Sequence, residues 1–139
     1  MNLSAFLNPI KEENVKLVVS KRFVDEDGKP AEWEIRAMTD EENREIRKSC
    51  KRKIPVKGAY GQYSVEFDDD KYLALVTARC VVYPDLNSAE LQNAYGVMGA
   101  EGLLRKMLKP GEFTMLSNAV STINGYDEVL GDLVEEAKN

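Results

Sequence analysis

The chain has 139 residues, of which 43% are hydrophobic and 31% are charged, and its formal net charge is −5. This length supports one compact domain but hardly two full cores, and the composition is that of a folded globular protein. Histidine is absent, which excludes Ser-His-Asp catalysis and histidine-ligated metals, and the acidic balance does not favour nucleic-acid binding, because that requires a basic face.

Charge is distributed unevenly along the chain. Residues 1–57 carry 13 Lys and Arg against 11 Asp and Glu, a net charge of +2, whereas residues 58–139 carry 6 against 13, a net charge of −7. We divide the chain at the same point into an N-terminal β-hairpin and helix region (1–57) and a helical region (58–139), which we expect to form one compact domain. The opposite signs are compatible with self-association or an oriented encounter with a partner, without requiring either.

Residues 1–14 combine a short apolar turn with a polar linker. Leu3, Phe6 and Leu7 are spaced for one face of a single helical turn. The stretch lacks the charged start and long apolar core of a signal peptide, and no apolar run approaches the length that spans a membrane, so we expect a soluble intracellular protein. Two interpretations of the turn stay open: loose docking on its own chain, or contact with a neighbouring subunit.

Residues 15–38 are predicted to form a β-hairpin. Apolar side chains alternate along 15–19 and 33–37, which is the period of two of a half-buried strand. The intervening Asp27-Gly28-Lys29-Pro30 favours a chain reversal. A lone hairpin is marginal in water, so it needs a third strand, a helix or a partner chain.

A helix is predicted to begin at Thr39-Asp40-Glu41-Glu42, with Thr39 as the cap and Glu42 at the capping-box position. It is expected to run to about Cys50 or Lys51, with Ile46 as its main apolar residue. Cations cluster at its end, namely Arg47, Lys48, Lys51, Arg52, Lys53 and Lys57. We interpret them as a solvated helix end that suits the helix dipole. The alternative is a contact patch for an acidic partner or a phosphate backbone.

Residues 54–67 interrupt this pattern, because Pro55, Gly58 and Gly61 punctuate them. Aromatic and apolar side chains follow over residues 60–67, at strand spacing from Tyr63 onward. A third strand and a mobile aromatic loop both fit this stretch.

Three carboxylates, Asp68-Asp69-Asp70, come next. They lack the alternation and the glycine of a calcium-binding loop, so we interpret them as the cap and first turn of a helix. That helix is predicted from about Asp69 to Val82. It is apolar over most of its circumference, which makes it the candidate central helix, and Cys80 is expected to be buried in it. Cys80 and Cys50, which follow no metal-binding or redox spacing, are interpreted as reduced thiols.

Further helices are predicted from Asn87-Ser88 to Gly96 and over 100–108, 111–123 and 126–137. The last of these has an apolar stripe and an acidic opposite face. The predicted fold class is therefore α+β: an N-terminal β-hairpin or small antiparallel sheet, followed by a mostly helical C-terminal part of four to five short helices.

The sequence contains no phosphate-binding loop, no nucleophile elbow and no array of metal ligands. We therefore predict that the protein is not an enzyme, and we assign no catalytic residue, no cofactor-binding residue and no metal ligand.

Several phrases of the sequence resemble one family when taken in order. They are Phe23 to Pro30 with Trp33 to Glu42; Cys80 to Ser88 with Glu90-Leu91 and Tyr95-Gly96; and Leu104-x-x-Met107-Leu108-x-Pro110-Gly111-Glu112-Phe113 with Asn124-Gly125 and Val134 to Asn139. Together they resemble the XkdN-like tail assembly chaperones of long-tailed phages and prophage elements, over nearly the whole chain.

The resemblance implies a non-enzymatic factor of virion morphogenesis that acts through protein–protein interaction. Such chaperones hold the tape-measure protein and help recruit tail-tube protein in the cytoplasm of the bacterial host, and they are absent from the mature virion. In many such systems a frameshift adds a C-terminal extension, which here would project from the helix predicted at 126–137. The resemblance implies no cofactor, no membrane partner and no ligand residue.

Two other functions stay open at this point. One is a structural tail component that is retained in the particle. The other is a small nucleic-acid-binding regulator that uses residues 47–57, although the net charge of −5 argues against it.

Overall fold

A computed structural model describes residues 2–126. It contains two small antiparallel sheets and six helices within this range, which confirms the predicted α+β class. The helix predicted for residues 126–137 lies outside the described residues, apart from Tyr126 at its start.

The larger sheet has three strands in the order β1-β2-β5. β1 (Val15–Leu17) and β2 (Trp33–Ile35) form the predicted antiparallel hairpin, with Leu17 opposite Trp33. β5 (Val81–Tyr83) pairs with the other side of β2. The central strand buries Trp33 and Ile35 almost completely. β5 is thus the third strand that the marginally stable hairpin requires.

The predicted end of the central helix is wrong, because the third strand takes up its last residues. The helix predicted to continue to Val82 is α3 (Asp69–Cys80), and the next three residues form β5 instead. The backbone N–H of Arg36 also donates to the carbonyl of Cys80 at 2.8 Å. Consecutive valines suit a strand better than a helix, and the free edge of β2 gives them backbone partners. Tertiary pairing thereby overrides the helical periodicity of the segment.

The helix α2 (Asp40–Ser49) begins as predicted. Thr39 accepts a hydrogen bond from the backbone N–H of Glu42, and the Glu42 carboxylate accepts one from the backbone N–H of Thr39, which completes the capping box. Ile46 is the buried residue of this helix, which confirms its prediction as the main apolar residue.

The second sheet was not predicted in full. β3 (Lys51–Pro55) and β4 (Tyr63–Phe67) form an antiparallel hairpin. The strand interpretation of residues 63–67 is confirmed, but its partner is the basic stretch that was expected to be a helix end and a break. Residues 57 and 58, where we divide the chain, lie in the loop of this hairpin, and the division itself stays a prediction.

Three further helices complete the described part, namely α4 (Ala89–Tyr95), α5 (Ala100–Met107) and α6 (Pro110–Ile123). Ser88 caps α4 as predicted, and Gly96 ends it in the left-handed region at φ 67°. α1 (Ser4–Leu7) is the single turn near the N-terminus.

The core is one cluster of buried residues from the larger sheet and from α3, α5 and α6, which includes Ile35, Cys80, Leu104 and Leu116. α3 buries Ala74, Val76, Thr77, Ala78 and Cys80, which confirms its central position. Cys50 and Cys80 are both buried, and neither forms a disulfide.

Candidate interaction surfaces

Of the three carboxylates at the start of α3, Asp68 acts as the helix cap, and Asp69 and Asp70 lie in the first turn. Asp68 accepts a hydrogen bond from the backbone N–H of Lys71 at 3.0 Å, which is the capping role predicted for it. Within residues 2–126, no group of three or more acidic or cysteine side chains is placed to hold a metal ion. The informative features of this molecule are therefore its exposed surfaces.

The first surface is an apolar arm, which we define as residues 3–10. Its helical turn α1 buries none of its residues. Leu3, Phe6, Leu7 and Ile10 are all exposed, and Phe6 and Ile10 are 83% and 93% exposed. Four large apolar side chains so close together and open to water are typical of a surface that another molecule covers.

The second surface is the pair of edges of the larger sheet. Among the strands of residues 2–126, β1 and β5 each pair with β2 and have no partner on their other side. Val15 on β1 and Tyr83 on β5 are both exposed. Each edge is three residues long, so it offers few backbone groups to an added strand.

The third surface is the basic hairpin, which we define as residues 51–67. Phe67, Val65 and Tyr63 lie directly opposite Lys51, Lys53 and Pro55. Residues opposite each other in an antiparallel pair share a face, so these six side chains form one face, called here the Phe67 face. Val65 and Tyr63 are 67% and 62% exposed, and Tyr60 in the loop is fully exposed.

Two arginines of the predicted basic patch interact with other side chains of the described part. The Arg47 guanidinium lies over the Phe67 ring, 4.7 Å from its centroid. Arg52 pairs with Glu66 at 3.2 Å on the opposite face of the basic hairpin. Among residues 2–126, no ion pair involves Lys51 or Lys53. The cationic character of the Phe67 face therefore comes from lysines whose charge is uncompensated in the described part.

A cluster of tyrosines joins the end of the described chain to this hairpin. The Phe67 and Tyr72 rings are 5.5 Å apart between centroids. The Tyr72 hydroxyl donates to the side-chain oxygen of Asn43, and Tyr126 lies beside it. Burial, together with Tyr126, raises the pKa of Tyr72. The described part of the chain thus ends at Tyr126, which is connected to Phe67 at the base of the basic hairpin through Tyr72.

Three ion pairs, made by Glu42 and Glu112, fix the scaffold that carries these surfaces. Glu42 pairs with Arg36 at 2.8 Å and with Arg79 at 3.6 Å, and the hydrogen bond from Arg36 lowers the pKa of Glu42 to about 2. Glu112, at the start of α6, pairs with Arg22 of the segment after β1, which lowers the pKa of Glu112 to about 2. These pairs join the sheet region to the helices.

Sequence reasoning missed β3 and the tyrosine cluster. The alternation of Tyr63, Val65 and Phe67 after two glycines carried a hairpin signal, and such a signal requires a partner strand upstream. The stretch Lys51-Arg52-Lys53 hid that partner, because lysine and arginine are poor indicators of a strand. No local pattern signalled the cluster, since Asn43, Tyr72 and Tyr126 are far apart in sequence.

Comparison with known proteins identifies the family. The family described as phage XkdN-like tail assembly chaperone protein matches residues 3–138. The chain belongs to this family. The family predicted from the ordered phrases of the sequence is thereby confirmed, and it is a family of chaperone-type phage proteins rather than of enzymes.

Two Bacillus subtilis (strain 168) proteins are similar to this XkdN-like chaperone over nearly the full length of both chains. The protein YqbN is 33% identical over 141 residues, which cover 99% of this chain and 93% of YqbN. The phage-like element PBSX protein XkdN is 32% identical over 141 residues, covering 99% and 94%. The crystal structure of the protein YqbN matches with a TM-score of 0.74 at 26% identity, over 90% of this chain and 97% of that one.

Within residues 2–126, no helix is both long enough and apolar enough to cross a membrane.

Proposed function

We propose that this protein holds the tape-measure protein during tail morphogenesis and helps to recruit tail-tube protein around it. The observation that carries the proposal is the match to the tail assembly chaperone family over residues 3–138. A chaperone acts on a client before the client has its final neighbours, so it needs apolar surface that the client covers in the meantime.

The apolar arm supports the proposal and is our candidate for the client contact. Phe6 and Ile10 are almost fully exposed, and the polar residues 11–14 connect the arm to β1. An arm of this kind presents apolar groups to a long helical client without opening the core. We further propose that the protein acts in the cytoplasm of the bacterial host and is absent from the finished tail.

The test is a pull-down of tape-measure fragments by the full-length chain, with light scattering to follow their aggregation. We expect the unaltered chain to bind the fragments and keep them dispersed. The double variant Phe6→Ser/Ile10→Ser should lose binding by about tenfold or more if the arm is a principal contact. Val24→Ser is the matched control, because Val24 is 59% exposed outside the arm. Absence of binding by the unaltered chain would overturn the proposal.

Recruitment and release need separate measurements. Tail-tube protein should join the pull-down when the tape-measure fragment is present. Mass spectrometry of purified tails should find tape-measure and tail-tube peptides but none from this chain. Detection of this chain at stoichiometric level would favour the structural tail component instead.

A further inference from the structure

The Phe67 face of the basic hairpin carries apolar side chains from a packed cluster at its base to solvent-exposed positions farther along. At its base, Phe67 contacts Tyr72 and Arg47. Farther along the same face, Val65 and Tyr63 are mostly exposed. An apolar stripe that begins in a packed cluster and continues into water is an incomplete packing surface.

The charges of the basic hairpin indicate the kind of occupant that fits this face. The basic hairpin carries four cations, Lys51, Arg52, Lys53 and Lys57, and one carboxylate, Glu66. Glu66 pairs with Arg52 on the opposite face. An occupant of the Phe67 face should therefore combine apolar side chains with carboxylates.

Residues 127–139 have this chemistry. They carry five carboxylates and one cation, and their apolar residues are Val129, Leu130, Leu133, Val134 and Ala137. The sequence spacing predicts an apolar stripe with an acidic opposite side.

The described part of the chain ends within reach of the hairpin. Tyr126, the last described residue, lies beside Tyr72, whose ring contacts Phe67. Thirteen residues span about 20 Å even as a helix, and the five-residue strand β4 spans about 17 Å. A helical segment is therefore about as long as the basic hairpin, and a partly extended one also covers the distance from Tyr126 to the base of the hairpin.

The charges of α2 also favour a path of the acidic segment from Tyr126 toward the basic hairpin. Its first turn is acidic, with Asp40 and Glu41, and its last turn is basic, with Arg47 and Lys48. Tyr126 borders the acidic end, where it lines a pocket with Asp40. An acidic segment that leaves this point is repelled by the start of α2 and attracted toward its end, from which β3 begins.

We propose that residues 127–139 dock on the Phe67 face of the basic hairpin of their own chain, with apolar side chains over Val65 and Tyr63 and carboxylates beside Lys51 and Lys53. This inference concerns the isolated chain and does not rest on the proposed function. The occupant is a segment of the same molecule, in preference to a second copy or a client.

The test is carbodiimide cross-linking of the full-length chain, which couples lysine amines to carboxylates without a spacer. Equal amounts of ¹⁴N- and ¹⁵N-labelled protein are mixed first, so that mass spectrometry separates links within a chain from links between chains. We expect links from Lys51 and Lys53 to residues 127–139 within one chain. Their yield should exceed that of links from Lys11 and Lys29 to the same segment by about tenfold.

Apolar variants separate docking from random encounters of a tethered segment, because they leave every reactive group in place. Val65→Ser and Val129→Ser/Leu133→Ser should reduce the yield at Lys51 and Lys53 to that of the control lysines. Ser64→Ala, on the opposite face of the basic hairpin, and Asn139→Ser, at a polar position of the segment, are the matched controls and should leave it unchanged.

Each other outcome overturns the proposal. Links mainly between differently labelled chains would assign the face to a second copy. Equal yields at all lysines, or yields that the apolar variants do not change, would show that the segment does not dock there.

Discussion

The side-chain oxygen of Asn124 accepts a hydrogen bond from the backbone N–H of Met38 at 2.9 Å. The amide nitrogen of the same side chain donates to the carbonyl of Val120 at 2.8 Å and lies 3.6 Å from the sulfur of Cys80. One residue thus joins the end of α6 to the segment between β2 and α2 and to the end of α3.

We expect Asn124→Ala to lower the free energy of unfolding by about 1–3 kcal/mol, because it leaves the partly buried N–H of Met38 without its acceptor. Urea unfolding followed by circular dichroism measures the change. Asn118→Ala is the control, since Asn118 is exposed on the same helix. Equal effects of the two substitutions would contradict the assigned role.

Glu42 should make stability depend on pH. Its pKa falls from an ordinary 4.5 to about 2, mainly through the hydrogen bond from Arg36. A lowered folded-state pKa contributes stability that is complete above the unfolded-state value and is lost as the pH falls toward 2. Glu42→Gln should therefore cost about 0.5–1 kcal/mol near neutral pH and flatten the decline below pH 4.5.

The control for this prediction is Glu41→Gln, in the same first turn of α2. It changes the net charge equally but should leave the acid limb of the stability curve in place. Part of that limb should persist in both variants, because Arg22 also lowers the pKa of Glu112 to about 2. An unchanged acid limb in Glu42→Gln would contradict the assignment.

Substitution of Leu104 tests whether the core lies where the structure places it. Its side chain is completely buried, whereas Met98 is 95% exposed. Leu104→Ala should cost about 2–5 kcal/mol, because it leaves a cavity among α3, α5 and α6. Met98→Ala should change the free energy of unfolding by less than about 0.5 kcal/mol. Thermal unfolding of both variants is the measurement, and similar midpoints would contradict the described packing.

Asp68 distinguishes a helix cap from a cation site. Asp68→Ala should cost about 1 kcal/mol, whereas Asp68→Asn should retain most of the stability because asparagine also caps helices. Addition of calcium or magnesium should leave the melting temperature of the unaltered chain unchanged. A metal-dependent rise that Asp68→Asn abolishes would show that the carboxylates bind a cation.

Local signals predicted much of this fold. Helix ends depend on neighbours within a few residues, and they form as the sequence indicates. Examples are the capping box of Thr39 and Glu42, the Ser88 cap and the end of α4 at Gly96. The hairpin of β1 and β2 is likewise local, since alternation and one turn specify it.

Features that depend on distant partners were not predictable in this way. Val81–Tyr83 become a strand because the edge of β2 lies beside them, although their periodicity continues a helix. The hydrogen bond between Asn124 and Met38 is a second example, because the two residues are 86 positions apart in the sequence. The candidate surfaces divide similarly: the apolar arm follows from Leu3, Phe6 and Leu7 alone, whereas the Phe67 face requires the register of β3 with β4.

The middle strand of the larger sheet has neighbours from distant parts of the chain. Ile35 of β2 is opposite Val15 on one side and Val81 on the other. Ribosomes add about 5–20 residues per second, so the second side of β2 stays unpaired for several seconds after its first side is complete. An isolated hairpin is marginal in water, so the larger sheet is completed only when β5 emerges. Until then the edge of β2 next to Trp33 lacks its native partner strand.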